Sequence, residues 1–254
     1  MQPYTIHAFF MQKAGNRADE YEDAYAYTAQ ADENGDLWFA IADGATETSF
    51  SGEWARLLTS AYAEKRLTTI TPDAIQPLSA EWEAKIAGQT AGAPLPWYAE
   101  TKLIDGAASS LVGLHITASG GWKAIGAGDS CLFQVRGMQV VASFPLSQPD
   151  EFNSRPLLIS TQKGYNTALA ELQAEGEWLP GDMFYLMTDA LAHWFLKRPT
   201  DYIPRLNSLG PRRFEKLIHY LRAEKLCKND DVTFLRVRLN APLGEAEGGN
   251  LAES

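Results

Sequence analysis

The chain has 254 residues, 45% hydrophobic and 21% charged, the balance of a globular protein long enough to bury a core without covalent staples. Its formal net charge of −10 argues against a nucleic-acid partner, which requires a basic face. No run of about 18 apolar residues is present to span a membrane, and no basic segment followed by an apolar one opens the chain. The two cysteines, Cys131 and Cys227, lie far apart and have the look of buried thiols in a reducing compartment, so a cytoplasmic location is expected.

In chain order, Tyr4 to Phe10 alternates loosely and is expected to form a strand, with a loop at 13–17. Ala24 to Tyr27 alternates Tyr with Ala, the period of a half-exposed strand. The polar turn at 32–36 joins it to Leu37–Ala42, an apolar run that ends abruptly at Asp43-Gly44. If the two arms are antiparallel, Asp23 and Asp43 meet at one end of a sheet. Trp54, Leu57, Leu58 and Ala61 follow helical spacing after Ser51, a candidate N-cap, and a second helix is expected over 71–87. Residues 91–96 are small and Pro-rich, a connection, and 98–103 suit a short helix. Strands are expected at 109–117, 122–130 and 131–137, with Gly128-Asp129 as an acid-bearing turn, and 144–170 reads as loop-rich. A buried strand from Met183 ends at Asp189 and leads into a helix over 190–196. An amphipathic helix at 211–226 presents Phe214, Leu217, Ile218 and Leu221 as one stripe. The last strand, 232–239, follows Asp230-Asp231. Residues 1–240 are expected to form one domain, and the Gly-, Glu- and Ala-rich segment 241–254 a disordered tail.

Acids thus recur where strands begin or stop: Glu22-Asp23, Asp43, Asp189 and Asp230-Asp231. An isolated Asp-Gly is more often a plain turn, and each of these acids alone would be a turn acid or a helix cap. Together they form a set of hard oxygen donors with no His or Cys beside them in sequence, the donor chemistry of Mg²⁺ or Mn²⁺. Carboxylates that converge without a cation repel one another. Two such ions would share a bridging carboxylate and activate a water for in-line attack on a phosphoryl group. His193, four residues beyond Asp189, is read as a packed or surface histidine, and Arg212-Arg213 as a solvated face.

The series Glu22-Asp23-Ala24, Ala42-Asp43-Gly44, Gly128-Asp129-Ser130, Thr188-Asp189-Ala190 and Asp230-Asp231-Val232-Thr233 resembles, in order and across residues 5–239, the metal-dependent type-2C protein phosphatases (the PPM family). The resemblance implies an α+β fold, a four-layer α-β-β-α sandwich with metals in a cleft at one end. It implies that Asp43 bridges two Mn²⁺ or Mg²⁺ ions, that the Gly44 carbonyl ligates one of them, and that Asp189 and Asp230 ligate the other. Asp23 and Glu22 would hold metal-bound waters, and Asp129 matches the acid that helps hold a third ion in bacterial members. The implied activity is hydrolysis of phosphoserine and phosphothreonine in proteins by a metal-activated water, in a stand-alone bacterial-type enzyme opposing a Ser/Thr kinase. The alternative is a phosphatase-like module that binds phosphoproteins without turning them over.

The sequence departs from the family pattern in three places. Arg17, the candidate phosphate clamp, precedes Asp23 by six residues where five is usual. Ala45-Thr46-Glu47-Thr48 replaces a Gly-Gly, and Ala45 stands where some members carry a histidine proposed as general acid. Ala190 replaces the glycine that usually follows the aspartate at position 189.

Overall fold

The structure is a computed structural model, described here for residues 3–45, 50–90, 106–153, 155–241 and 243. Its elements follow in the order β1 (Tyr4–Met11), β2 (Ala24–Tyr27), β3 (Leu37–Ala42), α1 (Ser51–Ala63), α2 (Pro72–Thr90), β4 (Ala108–Ser109) and β5 (Leu111–Ile116). Next come β6 (Gly121–Ala127), β7 (Cys131–Arg136), β8 (Gln139–Phe144), β9 (Ile159–Ser160), β10 (Leu172–Glu177) and β11 (Met183–Met187). Helices α3 (Asp189–Lys197), α4 (Pro199–Asn207) and α5 (Pro211–Ala223) precede the last strand, β12 (Val232–Leu239). The strands form two five-stranded antiparallel sheets, ordered β1-β12-β11-β7-β8 and β10-β6-β5-β3-β2, with β4 and β9 as a separate pair.

Alternation along the strands builds the layers. Leu37, Phe39 and Ile41 of β3 point one way and meet Leu132, Phe184, Leu186, Leu235 and Val237 from the other sheet, forming the core between the sheets. The opposite face of β3 carries Ala40 and Ala42, small enough for α1 to seat Trp54, Ala55 and Leu58 close against the sheet. On the other outer face, Met183, Tyr185 and Met187 pack under Trp194 and Phe195 of α3 and Phe214, Leu217 and Ile218 of α5. Strands buried on both faces need no polar residues, which is why β3 and β11 appear as unbroken apolar runs. The expected α-β-β-α sandwich is the observed one. No helix among the described residues is long and apolar enough to cross a membrane.

The differences from expectation fall at edges and starts. β8 and β10 each close one edge of a sheet and leave residues exposed, and neither was expected; β10 carries little apolar signal. Helix α4 was not expected either. Ser51 does not cap α1; the cap position is Phe50, in a left-handed conformation at φ 59°, and the Ser51 hydroxyl turns instead to Glu22. The short helix expected at 98–103 and most of the expected tail lie outside the described residues, although Leu243 is buried in the core between the sheets.

Register then fixes where the acids emerge. Ala24 pairs with Ala42, so Asp23 and Asp43 leave the β2–β3 hairpin side by side. Met187 pairs with both Phe234 and Cys131, so Asp189, Asp231 and the Asp129 turn leave the other sheet at a common end. Hydrogen bonds between the sheets show that the two ends coincide.

Candidate functional site

Asp23 is the most enclosed of these acids, 1% exposed. Its Oδ2 accepts the hydroxyls of Thr188 at 3.0 Å and Thr233 at 2.8 Å, and both threonines belong to the opposite sheet's edge of the cleft. Thr188 Oγ1 also accepts the Thr233 amide at 3.0 Å, and the Tyr21 hydroxyl bonds Thr233 Oγ1. Among the described residues Asp23 Oδ1 has no partner, although it is buried. Asp231, adjacent to the expected ligand Asp230, has a different task. Its two oxygens accept the amides of Lys13 and Glu22, each at 2.7 Å, and so fasten the 13–22 loop to the start of β12.

Asp43 is held through its backbone. Its amide donates to Ser110 Oγ at 3.0 Å, and its carbonyl accepts the Ser110 amide at 2.9 Å and the Ser109 hydroxyl at 2.8 Å. Ser110 Oγ in turn bonds Ser130 Oγ at 2.7 Å, a buried hydroxyl link between the Asp43 backbone and the Asp129 turn. Gly44 has to be glycine, because a Cβ there would lie 2.7 Å from the Glu22 carbonyl oxygen and 2.9 Å from the Ser51 carbonyl carbon. Glu22 is fixed by that close approach and by the Ser51 hydroxyl at 2.6 Å. Asp189 opens α3, where a carboxylate suits the helix dipole, and its Oδ1 accepts the Ala190 amide at 2.5 Å.

Burial pushes the Asp43 carboxyl well above the ordinary range, and the nearby charges of Asp23, Asp189, Asp129 and Asp230 push it further. Asp23 is raised likewise, first by burial and then by Asp231 and Asp189, against the two threonine hydroxyls. Burial and the Asp189 charge bring Asp129 up to about 7. One ammonium stands against the cluster: Lys228 Nζ lies 2.8 Å from Asp230 Oδ2 and 3.5 Å from Asp189 Oδ2. Lys13 Nζ is 3.9 Å from Asp230 Oδ1. Burial works against the Lys228 charge, but Asp189 and Asp230 outweigh it and raise its pKa.

These residues fit a hard divalent cation. The donors are carboxylate oxygens, a buried one is orphaned, the acids raise one another's pKa, and an ammonium stands between two of them. Among the described residues no three His, Cys, Asp or Glu side chains are gathered tightly enough to form a ready-made metal group.

The sequence profile described as Protein phosphatase 2C matches residues 16–230, most of the chain. The chain belongs to the protein phosphatase 2C family. Solved structures that share its fold include the following three. The photosystem II phosphatase PBCP has 14% identity and a TM-score of 0.61, with 94% of this chain and 99% of that one covered. The Mycobacterium tuberculosis serine/threonine phosphatase PstP/Ppp has 16% identity and a TM-score of 0.59, covering 93% and 99%. The catalytic domain of the serine/threonine phosphatase PstP, solved with two manganese ions, has 14% identity and a TM-score of 0.58, covering 93% and 98%. No curated protein sequence is similar enough to count as a match.

Within this phosphatase 2C fold, Asp23, Asp43, Asp129, Asp189 and Asp230 come together at one cleft, with Glu22 and Gly44 beside them. Arg17 stands apart. It is exposed, and its guanidinium is engaged by Asp19 through Nε at 2.8 Å and through Nη2. His193 lies one turn beyond Asp189 on α3, its ring against the Phe152 edge at 5.4 Å. Ser130, Thr188, Thr233 and Asp231 stand inside the motifs quoted from the sequence, but their supporting roles, and Ser110 altogether, were not foreseen there. Small hydroxyl residues leave no periodic trace, and these partners lie 20 to 212 positions away.

Proposed function

We propose that this protein is a metal-dependent phosphatase acting on phosphoserine and phosphothreonine in proteins. The observation that carries the reading is the placement of Asp43 where the two sheets' acid-bearing ends meet, beside Asp23 by strand register and linked through Ser110 and Ser130 to the Asp129 turn; burial, and then the charges of four other aspartates, raise its carboxyl. Asp43, the Gly44 carbonyl, Asp189 and Asp230 would hold two Mn²⁺ or Mg²⁺ ions, and Asp129 a third; the manganese in the PstP relative supports this choice. Bound there, such ions supply Lewis acidity toward a phosphoryl oxygen and lower the pKa of a coordinated water.

The chain's own groups prepare that chemistry. Thr188 and Thr233 fix one oxygen of Asp23 and leave the other without a partner among the described residues, and Ser51 orients Glu22, so both acids can order water. The Ser110–Ser130 pair sets the distance between the Asp43 strand end and the Asp129 turn. Ala45 supplies no proton donor, so protonation of the departing serine or threonine oxygen falls to solvent. Arg17 reaches the phosphate side only by leaving Asp19. Two buried free thiols, Cys131 and Cys227, suit a reducing cytoplasm, where a Ser/Thr kinase would supply the substrate.

The rival reading, a phosphoprotein-binding module without turnover, draws on Lys228, whose ammonium occupies the space between two expected ligands. Hydrolysis of p-nitrophenyl phosphate and of a phosphothreonine peptide with Mn²⁺ separates the two. The expected result is phosphate release abolished by EDTA. Absent release, with metal binding demonstrated by calorimetry, would overturn the enzyme reading.

A further inference from the structure

An open groove of about 620 Å³ runs away from the acid cluster, with Asp129 and Asp189 at one end and α3, the end of α5 and the 224–229 turn as walls. Its local charge is opposite to that of the molecule. The chain carries 32 acidic against 22 basic residues, whereas the groove sets Lys197, Arg222, Lys225 and Lys228 against those two carboxylates. The cations are not equivalent. Arg222 is committed to structure, its Nη groups donating to the carbonyls of Gln12 at 3.0 Å and Asp230 at 2.6 Å. Lys228 is committed to Asp189 and Asp230. Lys197 and Lys225 are exposed, and among the described residues neither pairs with a carboxylate.

The helix provides a ruler. Asp189, His193 and Lys197 are spaced i, i+4, i+8 and so share one face of α3. Eight residues at about 1.5 Å each put Lys197 about 12 Å from the acid end. An extended peptide covers that distance in about three to four residues. The Phe152 ring, edge-on to His193, forms an apolar wall between the two ends. Lys225, in left-handed conformation at φ 54° just past α5, lines the same groove.

We propose that this groove is a specificity subsite that selects phosphopeptides carrying an anionic group about three to four residues from the phosphorylated residue, with Lys197 and Lys225 as its determinants. The anionic group can be a carboxylate or a second phosphoryl group; the lysines meet the same charge in both. The proposal rests on the phosphatase reading for its natural substrate, and the test keeps the two apart.

The test compares phosphothreonine peptides that bear Glu, phosphoserine or Ala at three and four residues from the phosphothreonine, on both sides. Wild type is expected to favour the anionic peptides by about tenfold in kcat/KM at low ionic strength, chiefly through KM, with the preference shrinking as salt rises. The Lys197→Glu/Lys225→Glu variant is expected to lose or reverse that preference while p-nitrophenyl phosphate turnover stays within about twofold, since exposed charges act locally. Equal use of all peptides by wild type, or an equal loss on every substrate in the variant, would overturn the subsite. Should wild type hydrolyse nothing, the phosphatase reading fails alone. Fluorescence anisotropy of the same peptides as non-hydrolysable phosphonates then decides the subsite, with equal affinities counting against it.

Discussion

At the scale of single residues, Asp23 shows what the cleft asks of a carboxylate. One oxygen takes two threonine hydroxyls, the other takes nothing, and both are buried. A charge held this way costs stability unless a cation or ordered water meets it. Asp23→Asn keeps an oxygen for the threonines and removes the charge. The variant is therefore expected to melt higher than wild type without metal, by the equivalent of about 1 kcal/mol, yet to bind Mn²⁺ about 10–100-fold more weakly. Differential scanning calorimetry and titration calorimetry read the two effects separately. A variant that is both less stable and undiminished in metal affinity would mean that Asp23 is a structural acid. Asp43→Asn and Asp189→Asn are each expected to abolish turnover and lower metal occupancy, and activity retained in either would misplace the centre.

At the scale of elements, the site depends on turns that place acids at strand ends, and the β6–β7 turn is the most constrained of them. Gly128 sits at φ 89°, and a Cβ there would approach Ser110 Cβ to 2.6 Å, driving apart the link that joins Asp43 to Ser130. Gly137 also has positive φ, at 63°, but nothing lies within 4 Å of its missing Cβ. Gly137→Ala is thus expected to cost about 1 kcal/mol from backbone strain alone, and Gly128→Ala about 2–4 kcal/mol together with weakened metal binding. Urea unfolding tests the ranking, and equal costs would mean that the Ser110 contact relaxes freely. The same contrast explains what was legible in the sequence. β3 and β11 announce themselves because burial on both faces demands unbroken apolar runs, and an acid after such a run is conspicuous. β8 and β10 lie at sheet edges, where solvent tolerates sequences such as Leu172–Glu177 with no apolar face to detect. Ser51 resembled a helix cap because capping is a local rule, whereas its actual partner, Glu22, is 29 residues away and only the fold brings it there. Thr188, Thr233 and Asp231 were visible as motif residues, but their partners were hidden for the same reason.

At the scale of the whole molecule, two sheets that fold as one sandwich force like charges together, and stability should record it. Asp129 has a carboxyl near 7 in the folded protein against an ordinary value of 3.8, raised by burial and by Asp189. The folded state therefore binds more protons than the unfolded state between those values, and stability must fall as pH rises through that window. Asp23 and Asp43 are raised in the same direction and add to the slope. Asp32 and Asp182, both lowered, contribute stability that is lost only on acidification, so they do not reverse the trend near neutrality. Between pH 5.5 and 8, about one and a half units of Asp129 titration correspond to about 2 kcal/mol, or roughly 4–8 °C in melting midpoint for a chain of this size. The metal-free protein is expected to lose at least that much over the interval, and Asp129→Asn to remove Asp129's share and make the slope shallower. Saturating Mn²⁺ should remove it as well, because a cation binding only the folded, deprotonated cluster offsets the repulsion by about 2.7 kcal/mol at a hundredfold excess over its Kd. A slope untouched by both the substitution and the metal would place the titrating group elsewhere. It would also leave the convergence of the two sheets' acids without the energetic cost that a cation is needed to relieve.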